Sequence, residues 1–125
     1  MQQILKKIID DIPDIPVDEV LVGAFSTLVK AGDAQGIAST LKGSGPHDHI
    51  EESGNFRKMN LRKLAEFIFS KNILKASIGM AAINAWMSLY KRPYRQLKAQ
   101  NLIYEKGRNK TSGVIGDFPF VENLE

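Results

Sequence analysis

Two histidines and three acids fall close together in this chain: His47-Asp48-His49, then Glu51 and Glu52. Imidazoles with a carboxylate are the donor types that hold zinc or another divalent ion. The chain has no other histidine and no cysteine. The spacing matches no established metal motif, and the surrounding loop is rich in glycine, so a solvated surface is the competing reading. His47 and His49 are therefore metal candidates by residue type. Two imidazoles on a loop must order themselves on binding, so tight binding by this loop alone is not expected.

A second set lies on one helical face. At about 100° per residue, Ser77, Ala81, Asn84, Ala85 and Ser88 share a sector, and bulky residues such as Ile78, Met80, Ile83 and Trp86 fill the rest. Small side chains let another backbone or a ligand come close. Asn84 offers a donor and an acceptor there. An amide in that position also serves to cap or bridge backbone in a packed core.

Two further stretches carry weaker signals. Gly113-Val114-Ile115-Gly116, followed by Asp117, reads as a strand and a glycine turn. Such turns let backbone amides approach an anion or nucleotide, but the third glycine and the helix of the dinucleotide fingerprint are absent. Residues 91–110 carry Lys91, Arg92, Arg95, Lys98, Lys106, Arg108 and Lys110 against the single acid Glu105, with Tyr94 and Tyr104 interleaved. Cations among aromatics suit single-stranded nucleic acid. These cations form no single face, which weighs against that partner and favours a solvated interdomain linker.

The elements that must position these residues follow from periodicity. Ile4, Leu5, Ile8 and Ile9 mark an amphipathic helix over residues 2–11, closed by Pro13 and Pro16. Three β-rich stretches, about 19–25, 27–30 and 37–41, are separated by short turns, the second spanning residues 31–36. Short turns favour an antiparallel meander. Residues 42–59 form a long polar loop, a length that in a compact domain usually signals function or mobility. Asn60 is placed to cap a helix over 61–70, and Asn72 precedes a longer helix over 73–91. The two apolar helices are expected to cover one face of the meander, giving an α+β fold.

Composition sets the outer limits. The chain has 125 residues, 43% hydrophobic and 25% charged, enough for a real core. A net charge of +3 names no partner by itself. The apolar stretch 73–90 is interrupted by Lys75 and Asn84 and is short for a membrane span, and the N-terminus lacks the pattern of a signal peptide. A cytoplasmic location is the expectation, and cysteine-free composition is compatible with a reducing compartment.

Three segments together resemble a known family: VGAFSTLV at residues 22–29, ASIGMAAINA at 76–85 and VIGDFPF at 114–120, with GIASTL at 36–41 and LRKLA at 61–65 in order between them. The chain is similar to the putative heavy-metal chelation family. That resemblance implies a domain like the enolase N-terminal domain over residues 1–90, a basic linker over 91–110, and the first strand of a largely missing Rossmann-like domain over 111–125. The cleft between the two domains would be the ligand site. Its candidate residues are Asn84 and the turn Gly116-Asp117-Phe118-Pro119-Phe120, with Ser39 and Thr40 as further candidates. The implied ligand is a transition-metal ion or a metal chelate, and no reaction is implied. The implied partner is the Rossmann-like domain, in cis or on another chain, and a homo-oligomer is compatible with it. The alternatives are a nucleic-acid-binding module acting through residues 91–110 and a structural half that assembles with a partner chain.

Overall fold

The computed structural model describes residues 2–43, 49–90, 93, 95–116 and 118–123. The chain divides into two compact units, Met1–Lys91 and Arg92–Glu125.

In the first unit, helix α1 spans Gln2–Asp10 and buries Ile9, with Leu5 and Ile8 partly buried. Ile12 is fully buried just beyond it. The proline-bearing link is tied down by backbone bonds. Val17 N–H donates to Met59 O at 3.1 Å and Leu61 N–H donates to Ile15 O at 2.8 Å. Strands β1 (Glu19–Val22), β2 (Ser26–Ala31) and β3 (Ala34–Ser39) form an antiparallel sheet in the order β1-β2-β3. The α+β meander expected from the turns is the observed fold.

The turn between β2 and β3 is tighter than the sequence suggests, because Ala31 pairs directly with Ala34. Only Gly32 and Asp33 remain in the loop. Gly32 has φ +58° and Asp33 has no positive φ, the pattern of a two-residue hairpin with glycine first. Asp18 Oδ2 accepts from Gly32 N–H at 2.7 Å and pins the turn.

Strand alternation decides the faces. Thr27, Val29 and Ala31 of β2 and Ala34, Gly36 and Ala38 of β3 are buried on one face. The register aligns Leu21, Leu28 and Ile37 on the opposite, open face, where Ile37 is 61% exposed. The loop from β3 leads to a 3-10 turn (Phe56–Lys58), helix α2 (Leu61–Ala65), a second 3-10 turn (Glu66–Phe69) and helix α3 (Ile73–Ser88). Asn60 Oδ1 caps α2 by accepting from Lys63 N–H at 2.9 Å. Asn72 Oδ1 caps α3, accepting from Leu74 N–H at 3.0 Å and Lys75 N–H at 3.2 Å. The cap expected at Asn60 is the one observed, and Asn72, expected only to precede the second helix, caps it as well.

Helix α3 lies against the inner face of the sheet. A Cβ at Gly36 would overlap the carbonyl oxygen of Ala81 and the amide nitrogen of Ala85 and would come within 2.7 Å of Ala85 Cα. The helix thus touches β3 backbone to backbone, which is what its row of small residues permits. Trp86 is half-buried against the core and meets Tyr90 edge to face at 5.2 Å.

The second unit contains helix α4 (Ala99–Gly107) and a 3-10 turn at Val121–Asn123. Leu102 and Ile103 are adjacent rather than spaced by three or four, so α4 carries little periodic signal in the sequence. Residues 111–115 form no ladder, and Ile115 is 98% exposed. Among the described residues, no helix is long and apolar enough to cross a membrane.

Candidate functional site

Strand β3 pairs with β2 on one side only. The Ala31–Ala34 closure makes Ala34, Gly36 and Ala38 direct their N–H and C=O groups to β2. Gln35, Ile37 and Ser39 direct theirs to the free margin. Unpaired margins of this kind are covered in native sheets.

Helix α3 supplies the cover from its small polar sector. Ser88 Oγ accepts from Gln35 N–H at 3.2 Å and donates to Ala85 O at 2.7 Å. Asn84 Nδ2 donates to Ile37 O at 2.7 Å. Ser77 Oγ, fully buried, accepts from Leu41 N–H at 2.9 Å and donates to Ile73 O at 3.0 Å. Ser39 is passed over: among the described residues nothing caps its N–H or its C=O. The Asn84 amide is oriented by its bond, because Ile37 O can only accept. Its Oδ1 is left without a protein partner among the described residues.

A recess of about 460 Å³ opens at this gap. Ser39, Asn84, Ile37, Leu41, Met80 and Ile68 line it, over a floor of Ala38, Ala76 and Ser77. The volume lies within the range usual for small-molecule sites. The fold therefore brings Ser39 and Asn84 to one place. Thr40 does not line the recess; its hydroxyl bonds that of the buried Thr27 at 2.9 Å.

The other sequence candidates lie elsewhere. His49 is exposed, and His47 lies outside the described residues. No group of three or more His, Cys, Asp or Glu side chains converges among the described residues. Glu52, beside the histidine pair in sequence, turns instead to α3. Lys75 Nζ stands 2.9 Å from its Oε1 and 2.8 Å from its Oε2, and 5.3 Å from the centre of the Phe67 ring. The hydrogen bond from Lys75 is the main reason that the Glu52 carboxyl sits below its ordinary value. A bond from its own backbone amide and the ammonium charge add to this, and partial burial opposes it.

In the second unit, Gly116 has φ +122°, and the rings of Phe118 and Phe120 lie 5.7 Å apart with Pro119 exposed between them. Asp117 lies outside the described residues. A separate recess of about 460 Å³ is lined by Ile103, Arg108, Lys110, Ser112, Val114 and Val121 among others.

The sequence groups Ser77 and Ser88 with Asn84 on one helical sector but assigns the two serines no role. Ser77 and Ser88, seven before and four after it, stand on the same helical face, and that spacing was the available signal for a helix lying along a strand margin. Met80 and Ile68 carried no such signal, since both read as ordinary core residues.

A meander closed on one margin by helix side chains, with a recess at the one uncapped residue, is the class of structure that the geometry defines. The chain belongs to the family described as putative heavy-metal chelation, which matches residues 5–87. The fold is also similar to the crystal structure of a protein of unknown function from the DUF364 family of Desulfitobacterium hafniense. The TM-score is 0.73 at 25% identity, over 99% of this chain and 53% of that one. This chain thus spans about half the length of that structure. No curated protein matches.

Proposed function

We propose that this chain is the N-terminal part of a two-domain protein that handles a heavy metal in chelated form, and that the β3 recess belongs to its ligand site. The recess is the observation that carries this reading. Its lining offers the unpaired Asn84 Oδ1, the Ser39 hydroxyl and an apolar surround of Ile37, Leu41, Ile68 and Met80. Bare divalent ions of this class are held by several imidazole, carboxylate or thiolate donors. One amide, one hydroxyl and an apolar wall suit the organic periphery of a chelate better. The family description supports the metal, and the half-length match to the longer structure supports a second domain.

In this reading residues 1–90 are the enolase N-terminal-like domain, 91–110 the linker and 111–125 the entry to a Rossmann-like domain, supplied in cis or by another chain. Gly116, Asp117, Phe118, Pro119 and Phe120 are the candidates from that second domain. The protein works in the cytoplasm, where the metal arrives already complexed.

Calorimetric titration of the 125-residue chain with copper, nickel and zinc, free and as amino-acid or citrate complexes, tests this. A complexed metal is expected to bind, and Asn84→Leu to abolish the binding while the chain stays folded. Unchanged affinity in Asn84→Leu, with only the melting temperature lowered, would make Asn84 a structural amide and remove the recess from the site.

A further inference from the structure

Strand β1 lies at the opposite margin of the sheet from β3. Gly23 N–H donates to Ser26 O at 2.9 Å, and the register pairs Leu21 with Leu28 and Glu19 with Lys30. The odd-numbered positions therefore face β2, and Val20 and Val22 direct their N–H and C=O groups away from the sheet. Among the described residues nothing bonds these outward groups. The open stretch is bounded at both ends. Arg57 Nε donates to Asp18 O at 2.9 Å and Val17 N–H donates to Met59 O, so the segment around Phe56–Lys58 covers one end. The hairpin after Val22 closes the other. Proteins guard a bare margin with lysine, proline or a covering element. Glu19–Val22 holds neither lysine nor proline, and Leu21 is 51% exposed.

We infer that a second copy of this chain docks on β1, antiparallel, with a two-fold axis beside Leu21. A two-fold contact uses one patch on both copies, and this patch complements itself. With the two Leu21 residues opposite each other, Val20 of each copy faces Val22 of the other. Every outward N–H and C=O of the stretch then finds a partner. A register centred on Val20 would set Val22 against Asp18, whose carbonyl Arg57 already holds. One centred on Val22 would set Val20 against Ala24, inside the turn. The two leucines form a non-hydrogen-bonded pair, in which side chains stand closest, with Cα atoms about 4.5 Å apart. They join the apolar stripe of Leu21, Leu28 and Ile37 on one copy to the same stripe on the other. Charge sets the direction. Asp18 and Glu19 lie at one end of the stretch. At the other, Lys42 Nζ stands 4.7 Å from the centre of the Phe25 ring, in the hairpin turn. Antiparallel docking sets the acidic end against the basic end twice, whereas parallel docking would set acid on acid. The contact leaves the β3 recess untouched.

Sedimentation of the 125-residue chain tests this. The contact is small, so a reversible dimer is expected as the concentration rises toward about 1 mM. Leu21→Lys places two like charges on the axis and is expected to abolish the dimer. An equal mixture of Leu21→Lys and Leu21→Glu is expected to restore it as a mixed pair. Val22→Pro removes one outward N–H from each copy at a margin that tolerates proline, and is expected to weaken the dimer at least about tenfold. The chain has no cysteine, so a single introduced thiol reports the register. Leu21→Cys is expected to form an intermolecular disulfide on mild oxidation. Leu28→Cys is the control, because its two copies would stand three strand spacings apart, about 14 Å, beyond disulfide reach. A chain that stays monomeric to about 1 mM, a dimer that survives Leu21→Lys, or cross-linking by Leu28→Cys and not by Leu21→Cys would overturn the inference.

Discussion

Asn84 and Ile37 are joined across 47 positions of sequence by one bond, from the Asn84 Nδ2 to the Ile37 carbonyl oxygen at 2.7 Å. The bond gives the amide two separate duties, since one end secures the strand margin and the other faces a recess. The two duties are separable by substitution. Asn84→Ala is expected to lower stability by about 1 kcal/mol, the worth of one net hydrogen bond. Asn84→Asp should lower it more at neutral pH, because a carboxylate oxygen would then face the Ile37 oxygen. Urea denaturation of the two variants measures both effects.

Gly36 is the point of closest approach between helix and sheet. Gly36→Ala would drive a methyl group into the Ala81 carbonyl and the Ala85 amide. Both are backbone and cannot swing aside. A loss of at least about 3 kcal/mol is expected, the upper range for overpacking. Gly113→Ala is the control, as a Cβ there meets nothing within 4 Å; its effect should stay within about 0.5 kcal/mol. Equal effects of the two changes would show that α3 does not seat on β3 as described.

The Glu52–Lys75 pair makes stability depend on acid. The folded state holds the Glu52 carboxyl below the ordinary value of 4.5. Its contribution is therefore present in full above that value and is lost as pH falls through the lower, folded value. Glu52→Gln should lower the melting temperature modestly at pH 7. The gap from the unaltered chain should close as the pH drops below 4.5. A gap that is constant with pH would mean that the loss came from packing and not from charge.

Residues 111–115 have no ladder partner. The amides of Val114 and Ile115 are expected to exchange with solvent near the intrinsic rate in a verified monomer. Slow exchange there would mean that the segment is hydrogen-bonded within this chain.

Much of the fold was legible because local signals agreed with one another. The caps at Asn60 and Asn72, the prolines after α1 and the short turns of the meander each act within a few residues, so periodicity and capping chemistry report them directly. The two-residue hairpin was not legible. Ala31, Gly32, Asp33, Ala34, Gln35 and Gly36 all read as turn residues, yet Ala34 and Gly36 are small because α3 lies on them. Their size records a tertiary contact. The site was half legible for the same reason. Asn84 stood out as an amide among small residues, and Ser39 was reached only through a family resemblance. That Ser39 is the residue α3 leaves open depends on strand register, which no single position in the sequence encodes.

Because α3 occupies the outer margin of β3, lateral growth of this sheet has one direction left. A single open residue is too short to template a strand, so an incoming chain can hydrogen-bond only along β1. Two copies meeting there would join into a six-stranded sheet with an α3 at each end, and the assembly would stop at two. Polymerisation into fibrils, the usual hazard of a small sheet with bare edges, is thereby limited at its first step by the three side chains, Ser77, Asn84 and Ser88, that cap the margin of β3.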